Sequence, residues 1–142
     1  MTITPRYTTS ATATGGRDGK AATDDGSFSV TLAVPTELGG NGQGNNPEQL
    51  FASGYAACFL GAMKFAASQD KALPRVPADA SVNATVGIGP RSDKGFGLTV
   101  ELVVSLPGVE RAAGEALIVE ADTICPSSHA TRGNISVGLR LA

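Results

Sequence analysis

The sequence predicts an α+β domain with a mainly antiparallel sheet, its elements following one another as βββ-α-ββ-α-β. Three observations carry that prediction. Apolar residues alternate with period two in segments near both ends of the chain. One long central segment is apolar on nearly every helical side. A second segment with helical, amphipathic spacing stops at a Cys-Pro pair. At 142 residues the chain has the size of one domain, read here as spanning 1–142. A chain of that length buries roughly two-thirds of its unfolded surface and needs no staples.

Taken in order, residues 7–15 (YTTSATATG) are rich in threonine between small residues and suit a strand. A turn at Gly15–Gly19 leads into a second strand over 20–23, and Asp24-Asp25-Gly26 turns the chain again. Phe28, Val30, Leu32 and Val34 then alternate as a half-buried third strand that Pro35 ends. Residues 35–46 form a glycine- and asparagine-rich loop. Asn46, Pro47 and Glu48 supply an N-cap, a proline in the first helical position and an acid in the first turn. The helix they start runs to about Lys71. Leu50, Phe51, Tyr55, Cys58, Phe59, Leu60, Met63 and Phe65 cover nearly all its sides, which predicts a buried central helix. Two strands follow over 80–88 and 96–106, joined around Gly89–Asp93. A second helix spans 109–123 and ends near Cys125-Pro126, and Ile135, Val137, Leu139 and Leu141 make a last strand.

Composition narrows the function. A net charge of −2 gives no electrostatic case for nucleic acid or an anionic membrane. No apolar run reaches the roughly 18 residues of a membrane span, and the N-terminus lacks the pattern of a secretory signal. The expected location is the cytoplasm. Two cysteines and one histidine, His129, are too few and too widely spaced for a zinc site, so no metal is expected. Three options remain for Cys58 and Cys125: inert thiols, one catalytic thiol, or a redox pair.

Cys58 lies inside an apolar helix, where a cysteine is commonly a small buried hydrophobe and burial makes it inert. Reactivity requires a fixed cation, for which Arg17 (in GGRDG) and Arg132 (in ATRGN) are the candidates, because arginine keeps its charge when desolvated. Cys125 sits in a polar stretch read as a loop. Sixty-seven positions separate it from Cys58, so spacing cannot show that they meet. Glu48 suits a helix start in its own right. Ten residues of helix rise about 15 Å, so it can act beside Cys58 only from a second chain, whose close approach Ser53, Gly54 and Ala57 would permit. The loop Gly40–Gly44 is a weak anion-binding candidate, lacking the lysine and hydroxyl of a P-loop.

The stretches ATATGGRDG (11–19), ELGGNGQGNNPEQLFASGYAACF (37–59) and CPSSHATRGNISV (125–137) closely resemble the organic hydroperoxide resistance proteins, the Ohr branch of the OsmC-like family. The resemblance covers essentially the whole chain. It implies an OsmC-like fold in an intertwined homodimer with active sites at the interface, and a cysteine peroxidase that reduces organic hydroperoxides to alcohols. Cys58 matches the peroxidatic cysteine, Cys125 the resolving one, Arg17 the arginine that holds the thiolate and Glu48 the carboxylate that orients it. The family binds no metal or haem and is recycled by dihydrolipoamide or lipoylated proteins. Phe51, Tyr55 and Phe59 are expected around the substrate. One departure stands out: Ser127 occupies the place where the family usually has tyrosine. An OsmC-type osmotically induced peroxidase, a redox sensor that does not turn over, and a structural domain with idle thiols are the alternatives.

Overall fold

The computed structural model describes residues 1–142, with six strands and three α-helices. The chain divides into two compact units, Met1–Leu50 and Phe51–Ala142.

In the first unit, β1 (Ala11–Thr14), β2 (Lys20–Thr23) and β3 (Ser29–Thr31) form an antiparallel meander in the order β1-β2-β3. The meander agrees with the sequence prediction, but its outer strands are shorter. Phe28 is exposed, and beyond Thr31 the chain leaves β2: Leu32 makes a parallel bridge with Asn45. Leu32 and Ala33 are therefore buried under the returning loop while the expected strand face is broken. The β2–β3 turn is held by Asp25, which accepts from the Ser27 N–H at 3.0 Å and from the Thr23 and Ser27 hydroxyls, both at 2.8 Å. Those donors, the Ser27 amide first, pull its carboxyl down to about 2.

The helix α1 (Pro47–Gln69) begins where Asn46, Pro47 and Glu48 predict. Its start is a capping box: the Gln49 N–H donates to Asn46 Oδ1 at 2.9 Å and the Asn46 N–H donates to Gln49 Oε1 at 3.1 Å. In the second unit, β4 (Ser81–Pro90) and β5 (Phe96–Ser105) pair antiparallel over their whole length, while β6 (Val137–Leu141) lies parallel to β5. A parallel neighbour needs a crossover. Here α2 (Arg111–Ile124) and α3 (Pro126–Thr131) provide it. Glu110 caps α2, accepting from the Ala112 and Ala113 amides. Gly114 lets α2 approach β6, since a Cβ there would sit 2.9 Å from a Leu141 methyl.

Two expectations need correction. The central helix is not buried all round: Tyr55, Phe59, Ala62, Met63 and Ala66 are buried in the core of the second unit, with Leu102, Val104, Leu117 and Ala121, whereas Leu50, Ser53, Gly54, Ala57, Gly61 and Phe65 are exposed. By length and composition, moreover, this 23-residue helix is long and apolar enough to cross a membrane, although no uninterrupted apolar run suggests it. The stretch after Cys125 is helix α3, not a polar loop. Pro126 takes its first position, and its hydroxyl residues turn inward, where Ser128 and Thr131 are buried.

Because Leu102 is fully buried between these layers, Leu102→Ala should lower the unfolding free energy by about 2–5 kcal/mol, read as a shifted denaturation midpoint.

Candidate active site

The first unit holds Arg17 by backbone geometry. Gly15 and Gly16 have φ of 77° and 70°, where residues with a Cβ are strained. A Cβ on Gly19 would overlap the Thr14 carbonyl and lie 2.7 Å from Gly15 Cα. The three glycines of GGRDG thus allow a single tight turn between β1 and β2 that carries Arg17. Its guanidinium meets Glu48 in a fork: Nη1 donates to Oε2 at 2.9 Å and Nη2 donates to Oε1 at 2.8 Å. A bidentate pair fixes orientation as well as charge. The hydrogen bond to Arg17 holds the Glu48 carboxyl below its usual range, and the reciprocal bond raises the guanidinium further. Arg17 is 44% exposed, so the pair chiefly positions the cation and adds little stability. Arg132, the other candidate cation, is engaged elsewhere, donating to the Asp122 carbonyl at 2.7 Å and lying 3.4 Å from its carboxylate.

The second unit brings the two cysteines together. Cys58 is half-buried on α1 and Cys125 is fully buried between α2 and α3. Both are free thiols, and Cys58 lies close enough to the Cys125 side chain to act on its ionisation. Burial pushes the Cys125 thiol up, and Cys58 adds to the effect. The nearby Ser128 N–H and hydroxyl pull the other way. Cys125 therefore keeps its proton next to a more exposed neighbour.

The aromatic residues expected around a substrate divide. Tyr55 and Phe59 are 2% and 0% exposed and belong to the core, whereas Phe51, packed edge-on to Tyr55 at 6.0 Å, lines a groove of about 740 Å³ with Phe96, Leu98 and Ile135. Sequence reasoning missed the buried contacts of Tyr55: its hydroxyl lies 2.8 Å from Ser128 Oγ and 3.3 Å from Thr131 Oγ1. Their only sequence signal was a run of hydroxyl residues after a Cys-Pro pair. His129 is exposed on α3. The glycine loop at 40–44 borders a cavity into which Asp18 also projects, which weakens the anion reading.

The fork sets a pH dependence. Because Glu48 is depressed in the folded chain, its contribution is complete above the ordinary glutamate range and is lost only as pH falls through the depressed value. Carbon NMR titration should find the Glu48 carboxyl more acidic than an ordinary glutamate, returning toward the ordinary range in Arg17→Ala. An unchanged titration in that variant would contradict the fork.

A family model described as OsmC-like protein matches residues 40–140. The chain is 52% identical over 137 residues to an organic hydroperoxide resistance protein of Xanthomonas axonopodis pv. citri, covering 96% of this chain and 94% of that one. It is 38% identical to the organic hydroperoxide resistance protein OhrB of Bacillus subtilis over 136 residues, 95% and 97% of the two chains. Its fold superposes on the crystal structure of an organic hydroperoxide resistance protein from Legionella pneumophila with a TM-score of 0.91 and 42% identity, covering 98% and 99%. The glycine-framed arginine fork, the paired thiols and these similarities lead to one conclusion: the chain belongs to the OsmC-like family, within its organic hydroperoxide resistance branch.

Proposed function

We propose that the chain is a thiol peroxidase that reduces organic hydroperoxides to alcohols, with Cys58 as the attacking sulfur and Cys125 as the resolving one. The observation that supports this reading best is the nearness of a half-buried thiol to a fully buried one. The Cys58 thiolate attacks the distal peroxide oxygen; the O–O bond breaks, the alcohol leaves, and Cys58 becomes a sulfenic acid. Cys125 then attacks the Cys58 sulfur. The S–S bond forms, and hydroxide departs as water with the proton that Cys125 had kept. Arg17, oriented by Glu48, supplies the fixed charge that favours the thiolate and steadies the departing alkoxide. Phe51 stands two turns before Cys58 on the same side of α1, so the groove it lines suits the apolar part of a bulky peroxide.

Glu48 and Cys58 are ten residues apart on one helix, which separates them by roughly 15 Å. We therefore place the Arg17–Glu48 fork of one copy beside Cys58 of another, in a homodimer. The exposed stripe of Ser53, Gly54, Ala57 and Gly61, flanked by Leu50 and Phe65, supports a close crossing of two such helices. A dihydrolipoyl group, free or on a lipoylated protein kept reduced by a lipoamide reductase system, returns the disulfide to thiols in the cytoplasm. No bound cofactor enters the cycle.

Turnover with dihydrolipoamide and cumene or fatty-acid hydroperoxide tests the proposal. Sustained consumption is expected, with thioredoxin and glutathione much poorer; arrest after one equivalent would instead indicate a sensor. Cys58→Ser should lower the rate at least about a thousandfold. Cys125→Ser should complete one turnover and then accumulate sulfinic acid at position 58. Sedimentation should find a dimer, and a fully active monomer would remove the shared site.

A further inference from the structure

Resting on the peroxidase reading above, we infer that Ser128, backed by Tyr55, is a positioning residue for the reductive half of the cycle: together they form a hydrogen-bond relay that stabilises Cys125 as the leaving thiolate. In the disulfide form an incoming dithiol reaches Cys58, which is half-buried, and not Cys125, which is fully buried. Its thiolate attacks Cys58 Sγ and forms a mixed disulfide with it. The Cys58–Cys125 bond breaks, and the electron pair departs on Cys125. The second thiol of the dithiol then displaces Cys58 as a thiolate, and the dithiol leaves as its own disulfide. Disulfide exchange is faster when the leaving sulfur is the more stable anion. Burial alone makes Cys125 a poor one.

The proton inventory around Ser128 offsets that burial. The Thr131 hydroxyl donates to the Ser128 carbonyl at 3.1 Å, so its single proton is committed. A Cys125 thiolate can only accept; the sulfur takes no cap hydrogen bond in this thiol form, but Ser128, the third residue of the helix that Cys125 caps, lies close enough for its N–H and hydroxyl to favour the anion. Once Ser128 has given its proton to sulfur, its Oγ can only accept from Tyr55, 2.8 Å away. The three groups then align as Tyr55 O–H to Ser128 O–H to sulfur. When Cys125 is a thiol the order reverses: Ser128 donates to Tyr55, and Tyr55 donates to Thr131 Oγ1 at 3.3 Å. Both arrangements use each hydroxyl proton once. All four residues are buried, so water does not substitute for the relay. Cys58, from α1, is the titratable side chain that acts on Cys125 directly.

The test has two arms. In a Cys58→Ser background, where Cys125 titrates alone, Ser128→Ala should move its thiol titration alkaline by about one pH unit or more, Tyr55→Phe by less, and Ser128→Thr little, since threonine keeps the hydroxyl. In the otherwise unmutated protein, oxidised stoichiometrically to the disulfide, Ser128→Ala should slow reduction by dihydrolipoamide at least about tenfold, with Ser128→Thr restoring most of the rate. An unmoved Cys125 titration in Ser128→Ala overturns the relay, even if reduction slows, because a packing defect alone would do that. An unchanged reduction rate overturns it equally. Failure of the parent protein to form any disulfide would defeat the peroxidase reading, and that result is distinct because the first arm needs no peroxide.

Discussion

The contact between Cys58 and Cys125 is the constraint on which the other features of this chain depend, because two sulfurs brought together in one core are distinguished only by their surroundings. The fold makes them differ. Cys58 stands on α1 at the margin of the core, and Cys125 stands at the break between α2 and α3, where no solvent reaches it. Burial costs the thiolate more than the thiol, so the inner sulfur holds its proton while the outer one stands nearer to solvent. Both helix boundaries at Cys125 follow from its neighbour Pro126, which ends one helix and starts the next. A local backbone rule thereby sets the position of the inner sulfur.

The arginine fork shows the same economy in the first unit. Two left-handed glycines and a third with no room for a side chain bend the chain between β1 and β2, and the turn carries Arg17 to the carboxylate of Glu48. Glu48 is itself held at the first turn of α1 by Pro47 and the Asn46–Gln49 capping box. A charge pair built from a glycine turn and a capped helix start keeps its geometry although Arg17 is partly open to water.

Much of this was legible in the residues. The meander, the start of α1, the β4–β5 hairpin and the helix ending at Cys125 all follow from alternation, capping and proline rules. Three things were not. An apolar helix with alanine and glycine on every side gives periodicity nothing to discriminate, so which face of α1 enters the core required the neighbouring sheet. Ser128 and Thr131 resemble loop residues until Tyr55, more than seventy positions away, satisfies their hydroxyls from within the core. The pairing of Arg17 with Glu48 across 31 positions, and of the two cysteines across the second unit, is tertiary, and in the sequence both rest on family resemblance.

The most direct test of the paired-thiol account is peptide mapping of the reduced protein after exposure to a stoichiometric amount of an organic hydroperoxide. The account predicts a disulfide joining the peptides of Cys58 and Cys125 within one chain. A disulfide between Cys58 residues of two chains, or irreversible oxidation of Cys58 beside an untouched Cys125 thiol, would contradict it.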